Sequence, residues 1–528
     1  MAYKITVLPN HVVLEAAEGS SLLEALRSAG LAPDASCGGS GTCGKCGVMV
    51  DGREVRSCQT VVDRDMAVVL KEKKNLNILS TGLENRKKMN PWKDGYLLAF
   101  DIGTTSVVCF LLDDNTGREL ASASMLNPQT SFGADVISRI QAALGGALKE
   151  EAALIRQGMT SLIQTVCTKA EISPDKIGMV SVVGNPAMQQ LFMEISPENL
   201  AGVPFSPVLT KADTVPCQNY LPICGSAELL VVPDISGYIG ADTMGCVLST
   251  EMYENQDITL MVDIGTNGEM VLGNRDRMIA CSTAAGPALE GANIHFGMRG
   301  TDGAIDHVWL ENGEIKCSVI GGGMAKGICG SGLIDAVAVL LDLGLLNQRG
   351  RLQTKEEADG QRILRLTDEI YLTQDDIRQV QLAKGAIKAG ITLMSKQLAI
   401  AVTDIRQVLL AGAFGTFLKP ASACRIGLLP EELESKITAV GNAAGSGAKI
   451  LACDKEAMSL VQSLNSKIEF LELASLPEFS RTFAKAMNFR KKIQGFDSPK
   501  TNAGTCFSGW KMSAGNRWPM FPTNRAHL

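Results

Sequence analysis

Histidine is scarce in this 528-residue chain, which has only four, so a histidine-based metal site has few side chains to draw on. No uninterrupted apolar run of about 18 residues occurs, and this argues against a transmembrane helix. Positive charge is not in excess, because the net charge is -6. Nucleic acid is therefore not expected as the main partner, since phosphate contacts need a basic face.

The N-terminus also lacks the charged start and long apolar core of a signal peptide, because its first eight residues pass directly into alternating apolar and polar residues. Of the 15 cysteines, four are clustered and the others are scattered through apolar segments, as small core residues are in a reducing compartment. We therefore expect a cytoplasmic protein with no membrane partner. The length predicts several domains.

The clustered cysteines have the spacing Cys-x5-Cys-x2-Cys-x11-Cys, and the first three lie in a glycine-rich loop. Glycine permits positive φ angles and brings backbone N–H groups close to the sulfur atoms of a cluster. The loop is close in kind to a 2Fe–2S loop, but it is not of the plant type, because plant-type ferredoxins have four residues where this chain has five. We expect a 2Fe–2S cluster on Cys37, Cys43, Cys46 and Cys58. Structural zinc and cysteines without a metal remain the alternatives.

The residues around this loop predict a small α/β module. Strands are expected at 3–8, 12–15, 46–50 and 67–70, and a helix with a serine start at 20–29. This order predicts a β-grasp-like, ferredoxin-like domain over residues 1–70. Residues 71–95 are rich in lysine and lack a sustained apolar face, which predicts a basic linker.

A second body is expected over residues 96–489, where strands, glycine-rich turns and long helices alternate as in α/β folds. Two halves, starting near residues 96 and 258, each open with an apolar strand that ends in Asp-Ile-Gly-Thr, 162 positions apart. This repetition predicts a duplicated domain. Residues 490–528 lose periodicity, and we expect a disordered tail.

The two Asp-Ile-Gly-Thr segments are typical of turns that bind phosphate. Small residues let backbone N–H groups approach phosphate oxygens, and an aspartate can hold Mg²⁺ through water. One such segment alone is more typical of a simple hairpin turn, but two copies favour ATP binding. The candidate catalytic residues are Asp101, Asp263 and, as a water-orienting base, Glu269. The candidate phosphate-binding residues are Gly103, Thr104, Thr105, Gly265, Thr266, Asn267 and Gly268.

A third segment follows a long helical stretch: the apolar run 408–411 leads into small residues. We expect a turn there that brings backbone against a flat nucleobase. Its residues are Gly412, Ala413, Phe414 and Gly415.

These three segments, in this order, resemble the superfamily of actin, sugar kinases and heat-shock chaperones. Its members hold ATP between two ribonuclease H-like lobes. The resemblance implies phosphate loops at 101–106 and 263–268 and an adenosine contact at 412–415. No loop of the form Gly-x4-Gly-Lys-Ser/Thr is seen near these segments, so the phosphate is held in a different way.

Longer stretches resemble the reductive activators of corrinoid-dependent enzymes over residues 1 to about 489. They include Phe132-Gly-Ala-Asp-Val-Ile-Ser-Arg139, Ser236-Gly-Tyr-Ile-Gly-Ala-Asp242, Glu290-Gly-Ala-Asn293 and Gly327-Ile-Cys-Gly-Ser-Gly332. The resemblance implies that a ferredoxin-like domain passes one electron to inactive cobalt(II) corrinoid on a partner protein and restores cobalt(I). It also implies a partner from a methyltransferase system and an upstream electron donor.

An electron carrier that moves charge downhill needs no nucleotide, so the pairing of a cluster with an ATP site predicts that ATP drives or gates a difficult reduction. The expected activity is ATP-dependent corrinoid reduction. The alternatives are a redox-sensing ATP-binding regulator and a small-molecule kinase with an appended ferredoxin domain. The sequence allows a homodimer without predicting one.

Overall fold

The computed structural model describes residues 2–8, 11–33, 35, 39, 41, 46–70, 82–83, 92, 95–223, 225–358 and 360–490. Most of the expected linker, part of the cysteine loop and, apart from Arg490, the expected tail lie outside these residues. Along the described part of the chain, no helix is both long and apolar enough to cross a membrane.

The N-terminal sheet has the strand order β2-β1-β5-β3-β4, with β1 antiparallel to β2 as the alternating pattern predicts. Helix α1 (Leu22–Ser28) begins after Ser21, whose hydroxyl accepts a hydrogen bond from the Glu24 N–H, while the Glu24 carboxylate accepts one from the Ser21 N–H. This capping box fixes the start of the helix. The strands are β1 (Ala2–Leu8), β2 (Val12–Ala17), β3 (Gly47–Val50), β4 (Arg53–Arg56) and β5 (Met66–Val69).

The first lobe of the following body is a six-stranded sheet with helices against it, in the order β10-β11-β9-β6-β7-β8. Its strands are β6 (Tyr96–Ile102), β7 (Ser106–Asp113), β8 (Glu119–Leu126), β9 (Ile177–Gly184), β10 (Asp213–Pro216) and β11 (Glu228–Val231). Its helices are α2 (Val136–Ala142), α3 (Leu148–Ala170), α4 (Pro186–Met193), α5 (Glu198–Ala201) and α6 (Ala241–Thr250).

The second lobe contains another six-stranded sheet and two three-stranded sheets. Its strands are β12 (Thr259–Ile264), β13 (Gly268–Gly273), β14 (Met278–Thr283), β15 (Ala304–Glu311), β16 (Glu314–Val319), β17 (Gly327–Ile328), β18 (Glu357–Ala358), β19 (Gln361–Arg365), β20 (Tyr371–Thr373), β21 (Gln407–Ala411), β22 (Ile437–Gly441) and β23 (Ile468–Phe470). Its helices are α7 (Gly330–Asp342), α8 (Gln374–Gln397), α9 (Gly412–Phe417), α10 (Pro420–Ile426), α11 (Ala443–Cys453), α12 (Ala457–Asn465) and α13 (Phe479–Ala486).

The two large sheets repeat one arrangement. In each, three consecutive antiparallel strands are joined on one side by a parallel strand: β9-β6-β7-β8 in the first lobe and β21-β12-β13-β14 in the second. The duplication predicted from the twin Asp-Ile-Gly-Thr segments is therefore confirmed. Each of these segments lies where the first strand of the antiparallel unit ends.

The two lobes meet where α6 packs closely on α11. A Cβ atom placed on Gly447 would be 2.2 Å from the carbonyl oxygen of Gly245, and one placed on Gly245 would be 2.9 Å from that of Ala444. Only glycine tolerates such close backbone contact. This packing fixes how the strand ends of the two lobes face each other.

The few described residues of the expected linker contact the body. Leu83 and Trp92 pack against the hydrophobic core that contains α6 and α11. The Ser446 hydroxyl of α11 donates a hydrogen bond to the Leu83 carbonyl oxygen over 3.2 Å, and the Trp92 N–H donates to Asp114 over 3.3 Å. At these positions the linker has an apolar contact that its sequence pattern does not predict.

Candidate functional site

Two of the four candidate cluster cysteines lie side by side. Cys46, just before β3, is 1% exposed, and its Sγ is 3.3 Å from the Sγ of Cys58. Burial alone raises the pKa of Cys46, but hydrogen bonds from Cys58 and Ser57 outweigh it and leave the pKa below its usual range. A lowered pKa favours the thiolate, which is the form that binds a metal. Cys37 and Cys43 lie outside the described residues.

Glycines shape the loop beside these thiols. Gly39 and Gly41 have φ angles of +99° and +82°. A Cβ atom on Gly41 would also be 2.6 Å from the Gln59 side chain. The described residues therefore fit the tight loop that a cluster needs.

The first candidate phosphate turn follows β6. The Gly103 N–H donates to the Ser106 carbonyl oxygen over 2.9 Å, which closes a tight turn. Asn127 Nδ2 donates to the Gly103 carbonyl oxygen over 2.8 Å, and Arg139 donates to the Thr104 carbonyl oxygen. Side chains from distant segments thus hold this turn in shape.

The second turn follows β12 and is closed by a hydrogen bond one residue shorter than that of the first. The Gly265 N–H donates to the Asn267 carbonyl oxygen over 2.9 Å. The two turns face each other, because the Glu290 Oε2 accepts a hydrogen bond from Thr105 Oγ1 over 2.9 Å and from Thr266 Oγ1 over 3.1 Å. One carboxylate oxygen therefore joins the two lobes.

The turns line a cavity of about 320 Å³ between the lobes, in the size range of small-ligand sites. Of the predicted phosphate-binding residues, Gly103, Thr104, Thr105, Gly265, Thr266 and Asn267 line it, whereas Gly268 already lies in β13. All three candidate catalytic residues also line it: Asp101, Asp263 and Glu269.

The cavity gathers carboxyl groups with little compensating charge. Burial raises the pKa of Asp101 and Asp263 to about 7 and that of Asp242 to about 6, and repulsion from Asp242 adds to the first two shifts. Burial also raises the pKa of Glu269. A cation in the cavity would relieve this repulsion.

The carboxylates of the cavity can bind Mg²⁺ only if other ligands complete its coordination shell. Among the described residues, no three histidine, cysteine, aspartate or glutamate side chains are placed to hold a metal ion. Asp101 and Asp263 supply the hard oxygen ligands that Mg²⁺ prefers, while phosphate oxygens and water would complete its shell. The residues therefore fit a magnesium–nucleotide complex better than a bare ion.

The expected adenosine contact is a helix start rather than a turn. Helix α9 begins at Gly412, whose φ of +82° and closeness to Asp263, 2.6 Å from a Cβ atom built on it, require glycine. Gly412 and Phe414 line the cavity. Gly415 instead packs against Leu410 in the core, and Ala413 follows Gly412 in the first turn of α9.

Sequence reasoning assigned no role to three residues of the cavity. Asp242 lies in the first turn of α6, and Glu290 joins the turns. Asn442 donates to Asp101 Oδ2 over 2.9 Å and accepts from the Gly445 N–H over 2.6 Å as the cap of α11. The Asn-Ala-Ala-Gly segment after an apolar strand is typical of a helix N-cap, so the start of α11 could have been predicted from the sequence. The hydrogen bond to Asp101 could not, because the two residues are far apart along the chain.

Family models match nearly the whole described chain. Residues 5–70 match the 2Fe-2S iron-sulfur cluster binding domain. Residues 96–255 match the RACo middle region, and residues 257–500 match the C-terminal domain of RACo, the ASKHA domain.

Named relatives agree with these matches. The chain is 38% identical over 412 residues to "Corrinoid activation enzyme RamQ" of Eubacterium limosum, covering 74% of this chain and 69% of the relative. It is 27% identical over 433 residues to "[Co(II) methylated amine-specific corrinoid protein] reductase" of Methanosarcina barkeri, covering 75% and 77%. A solved structure, "Reductive activator for corrinoid,iron-sulfur protein", matches with a TM-score of 0.69 and 28% identity over 92% of this chain and 98% of the other.

Proposed function

Because this chain belongs to the RACo family of corrinoid activators, we propose that it uses ATP to pass one electron to inactive cobalt(II) corrinoid on a partner protein, restoring cobalt(I). One observation carries this conclusion. A single chain joins a paired-thiol loop of the 2Fe–2S type to a carboxylate-lined cleft between two duplicated lobes. A plain electron carrier has no use for the second part, and a plain kinase has none for the first.

The N-terminal domain is the electron-donating part. A 2Fe–2S cluster, when bound, supplies storage for one electron. Cys46 and Cys58 would hold it through their adjacent sulfur atoms, and Cys37 and Cys43 would complete the set of four. The positive φ angles of Gly39 and Gly41 let backbone N–H groups turn toward the sulfur atoms.

The two-lobed body binds the nucleotide. The backbone of residues 103–105 and 265–267 binds phosphate oxygens, while Asp101 and Asp263 hold Mg²⁺ through oxygen ligands and water. Gly412 and Phe414, which line the cavity, contact the adenosine. The raised pKa values of the two aspartates support a cation between them, because a cation favours their charged forms.

ATP can assist the reduction only if it binds or is hydrolysed differently in two states of the complex. Each 59 mV of unfavourable potential costs a one-electron step about 1.4 kcal/mol, and the free-energy difference between the two states must supply this amount. The contacts offer a route from nucleotide to linker: Asn442 binds Asp101 and caps α11, and Ser446 on the same helix binds the Leu83 carbonyl oxygen. A change at the nucleotide would reach the segment that carries the cluster domain.

The proposal includes several further assignments. The partner is a corrinoid protein of a methyltransferase system, and an upstream donor reloads the electron. The protein works in the cytoplasm, and a homodimer is compatible with this function. The domains are residues 1–70, the linker 71–95, the body 96–489 and a tail from 490 to 528.

The test is a spectroscopic assay of cobalt(I). We expect cobalt(I) only when reductant, MgATP and a corrinoid protein are all present. Full-rate reduction without nucleotide would disprove the ATP coupling. A phosphorylated metabolite without cobalt reduction would instead indicate a kinase, and ATP binding with neither outcome would indicate a regulator.

A further inference from the structure

Glu290 occupies the point where the two phosphate turns meet. It ends the short helical turn 287–290, and Gly291 follows with a φ of +80°. A Cβ atom on Gly291 would be 2.4 Å from the Met298 carbonyl oxygen, so the backbone after Glu290 is fixed by close packing. The Glu290 side chain therefore enters the cavity from a backbone segment that is held rigidly in place.

The two carboxylate oxygens of Glu290 have different surroundings. Oε2 accepts hydrogen bonds from Thr105 and Thr266, one from each lobe. Oε1 accepts none from the described residues and lies next to the second turn, 3.5 Å from a Cβ atom built on Gly265. One oxygen is thus held in place while the other is available at the phosphate site.

Glu269, the base expected from the sequence, is placed less well for this role. It lies in β13 directly opposite Asp263, and its Oε1 accepts a hydrogen bond from Ser282 Oγ of β14 over 3.4 Å. The two phosphate-turn threonines donate their hydrogen bonds to Glu290 and not to Glu269. Its carboxylate is therefore tied to the sheet rather than to the gap between the turns.

We propose that Glu290 is the catalytic carboxylate that orients and deprotonates the water that attacks the terminal phosphate of ATP. This rests on the proposed function, because it assumes that ATP is hydrolysed in the cleft. The water oxygen forms a bond to the γ-phosphorus, and the bond from that phosphorus to the β,γ-bridging oxygen breaks. ADP leaves with the electron pair of that bond, and the water proton passes to Glu290 Oε1 and then to solvent.

The two hydrogen bonds to Oε2 make the position of Glu290 depend on how the lobes are placed. Thr105 belongs to the first lobe and Thr266 to the second, so both hydrogen bonds exist only when the lobes are together. A base held by both turns is aligned only in the closed cleft. Hydrolysis would then be restricted to the closed state, as energy coupling requires.

The test compares Glu290→Gln with the wild type by phosphate release and by MgATP binding, with the corrinoid protein present if it stimulates turnover. We expect kcat to fall about 100-fold or more, the usual loss for a general base. The Kd of MgATP should stay within about threefold, because the amide keeps the shape and a hydrogen-bond acceptor. Glu290→Asp should recover part of the rate. Glu434→Gln, which removes an exposed carboxylate elsewhere, is the matched control and should leave both values unchanged.

Three outcomes would overturn the assignment. A kcat within about threefold of the wild type would show that the carboxylate is dispensable. Tighter MgATP binding at unchanged kcat would show that Glu290 only occupies phosphate space. A loss of kcat/KM explained entirely by weaker binding would indicate a binding role alone.

A second variant decides the matter if Glu290→Gln fails to fold or to bind nucleotide. Turnover of Glu290→Ala should return when formate is added, because a small carboxylate can take the vacated place. No return at any formate concentration would refute the proposal. Failure of the proposed function would look different: wild-type cobalt reduction would proceed without ATP, whatever the behaviour of the Glu290 variants.

Discussion

The Asp263 carboxylate stands at the end of β12, beside the backbone of the second turn and within reach of Gly412. Its pKa is raised to about 7 by burial and by repulsion from Asp242 and Asp101, so its surroundings disfavour the charged form of the carboxyl group. A metal ion is the simplest way to satisfy it. We therefore expect the Asp263 carboxylate to act by holding the cation that accompanies the nucleotide.

Asp263→Asn should reduce ATP hydrolysis by about 100-fold or more, because the amide is a poorer ligand for Mg²⁺ at a site of charge stabilisation. Visible absorbance of the iron–sulfur cluster should be unchanged. Phosphate release and absorbance spectra measure the two effects. Asp257→Asn, an exposed aspartate just before β12, is the control, and unchanged hydrolysis in Asp263→Asn would refute its role.

Cys58→Ser should impair the iron–sulfur cluster and leave nucleotide binding intact. Its sulfur pairs with that of Cys46 at 3.3 Å, so replacing it removes one of the proposed cluster ligands. We expect iron content and cluster absorbance after anaerobic reconstitution to fall sharply while the Kd of MgATP stays within about twofold. Cys317→Ser, a partly exposed cysteine of β16, should keep the cluster. A full cluster spectrum in Cys58→Ser would exclude it as a ligand.

At the scale of elements, helix α8 illustrates how packing changes the properties of a side chain. Lys384 is buried within α8, and its Nζ donates to the carbonyl oxygens of Ala486, over 2.7 Å, and Asn488 at the end of α13. Burial lowers its pKa to about 7, helped by repulsion from Lys388 and Arg490. The lysine thus ties the C-terminal end of α13 to α8.

This shift predicts a pH dependence of stability. Between pH 7 and the unfolded value of 10.5 the unfolded chain binds more protons at this lysine than the folded chain, so its contribution to stability grows as pH rises. The melting temperature of the wild type should therefore increase relative to that of Lys384→Met between pH 7 and pH 9. Lys467→Met, at an exposed site, should show no such trend. A constant difference for Lys384→Met would contradict the shifted pKa.

At the scale of the whole molecule, the N-terminal domain touches the body close to the proposed nucleotide site. Arg27 of α1 donates to the Ser131 carbonyl oxygen, and its guanidinium lies 4.4 Å from the centre of the Phe132 ring. The next residue, Gly133, accepts a hydrogen bond from Arg139, which also binds Thr104 of the first phosphate turn. The two domains are therefore connected by consecutive polar contacts.

Arg27→Ala should loosen this docking. A cation–π contact and a hydrogen bond are each worth about 1 kcal/mol, so the equilibrium constant for docking should fall by roughly 30-fold. Amide hydrogen exchange of the segment 128–135 should speed up accordingly. Arg64→Ala, at an exposed arginine of the same domain, should leave this exchange unchanged. Equal exchange in Arg27→Ala and wild type would show that the contact does not hold the domains together.

The parts that could be predicted from the sequence are those set by neighbours along the chain. A capping serine, an alternating hairpin and a glycine after an aspartate act within a few residues, so the first module, the duplication and both turns were predictable. The start of α9 was expected as a turn, because small residues after a strand suit both structures. Its helical form depends on packing at Gly412 and Gly415 rather than on local preference.

The sequence by itself determined the spacing of the cysteines and the two aspartate–glycine turns, because each depends on backbone conformations that only certain residues adopt. Only the tertiary structure decided that Glu290 lies between the turns, that Asn442 binds Asp101 and that Leu83 rests on α11. These residues are distant in sequence, and the close packing of α6 on α11 brings them together. Local patterns specify turns, whereas the relative placement of two lobes depends on how their surfaces fit.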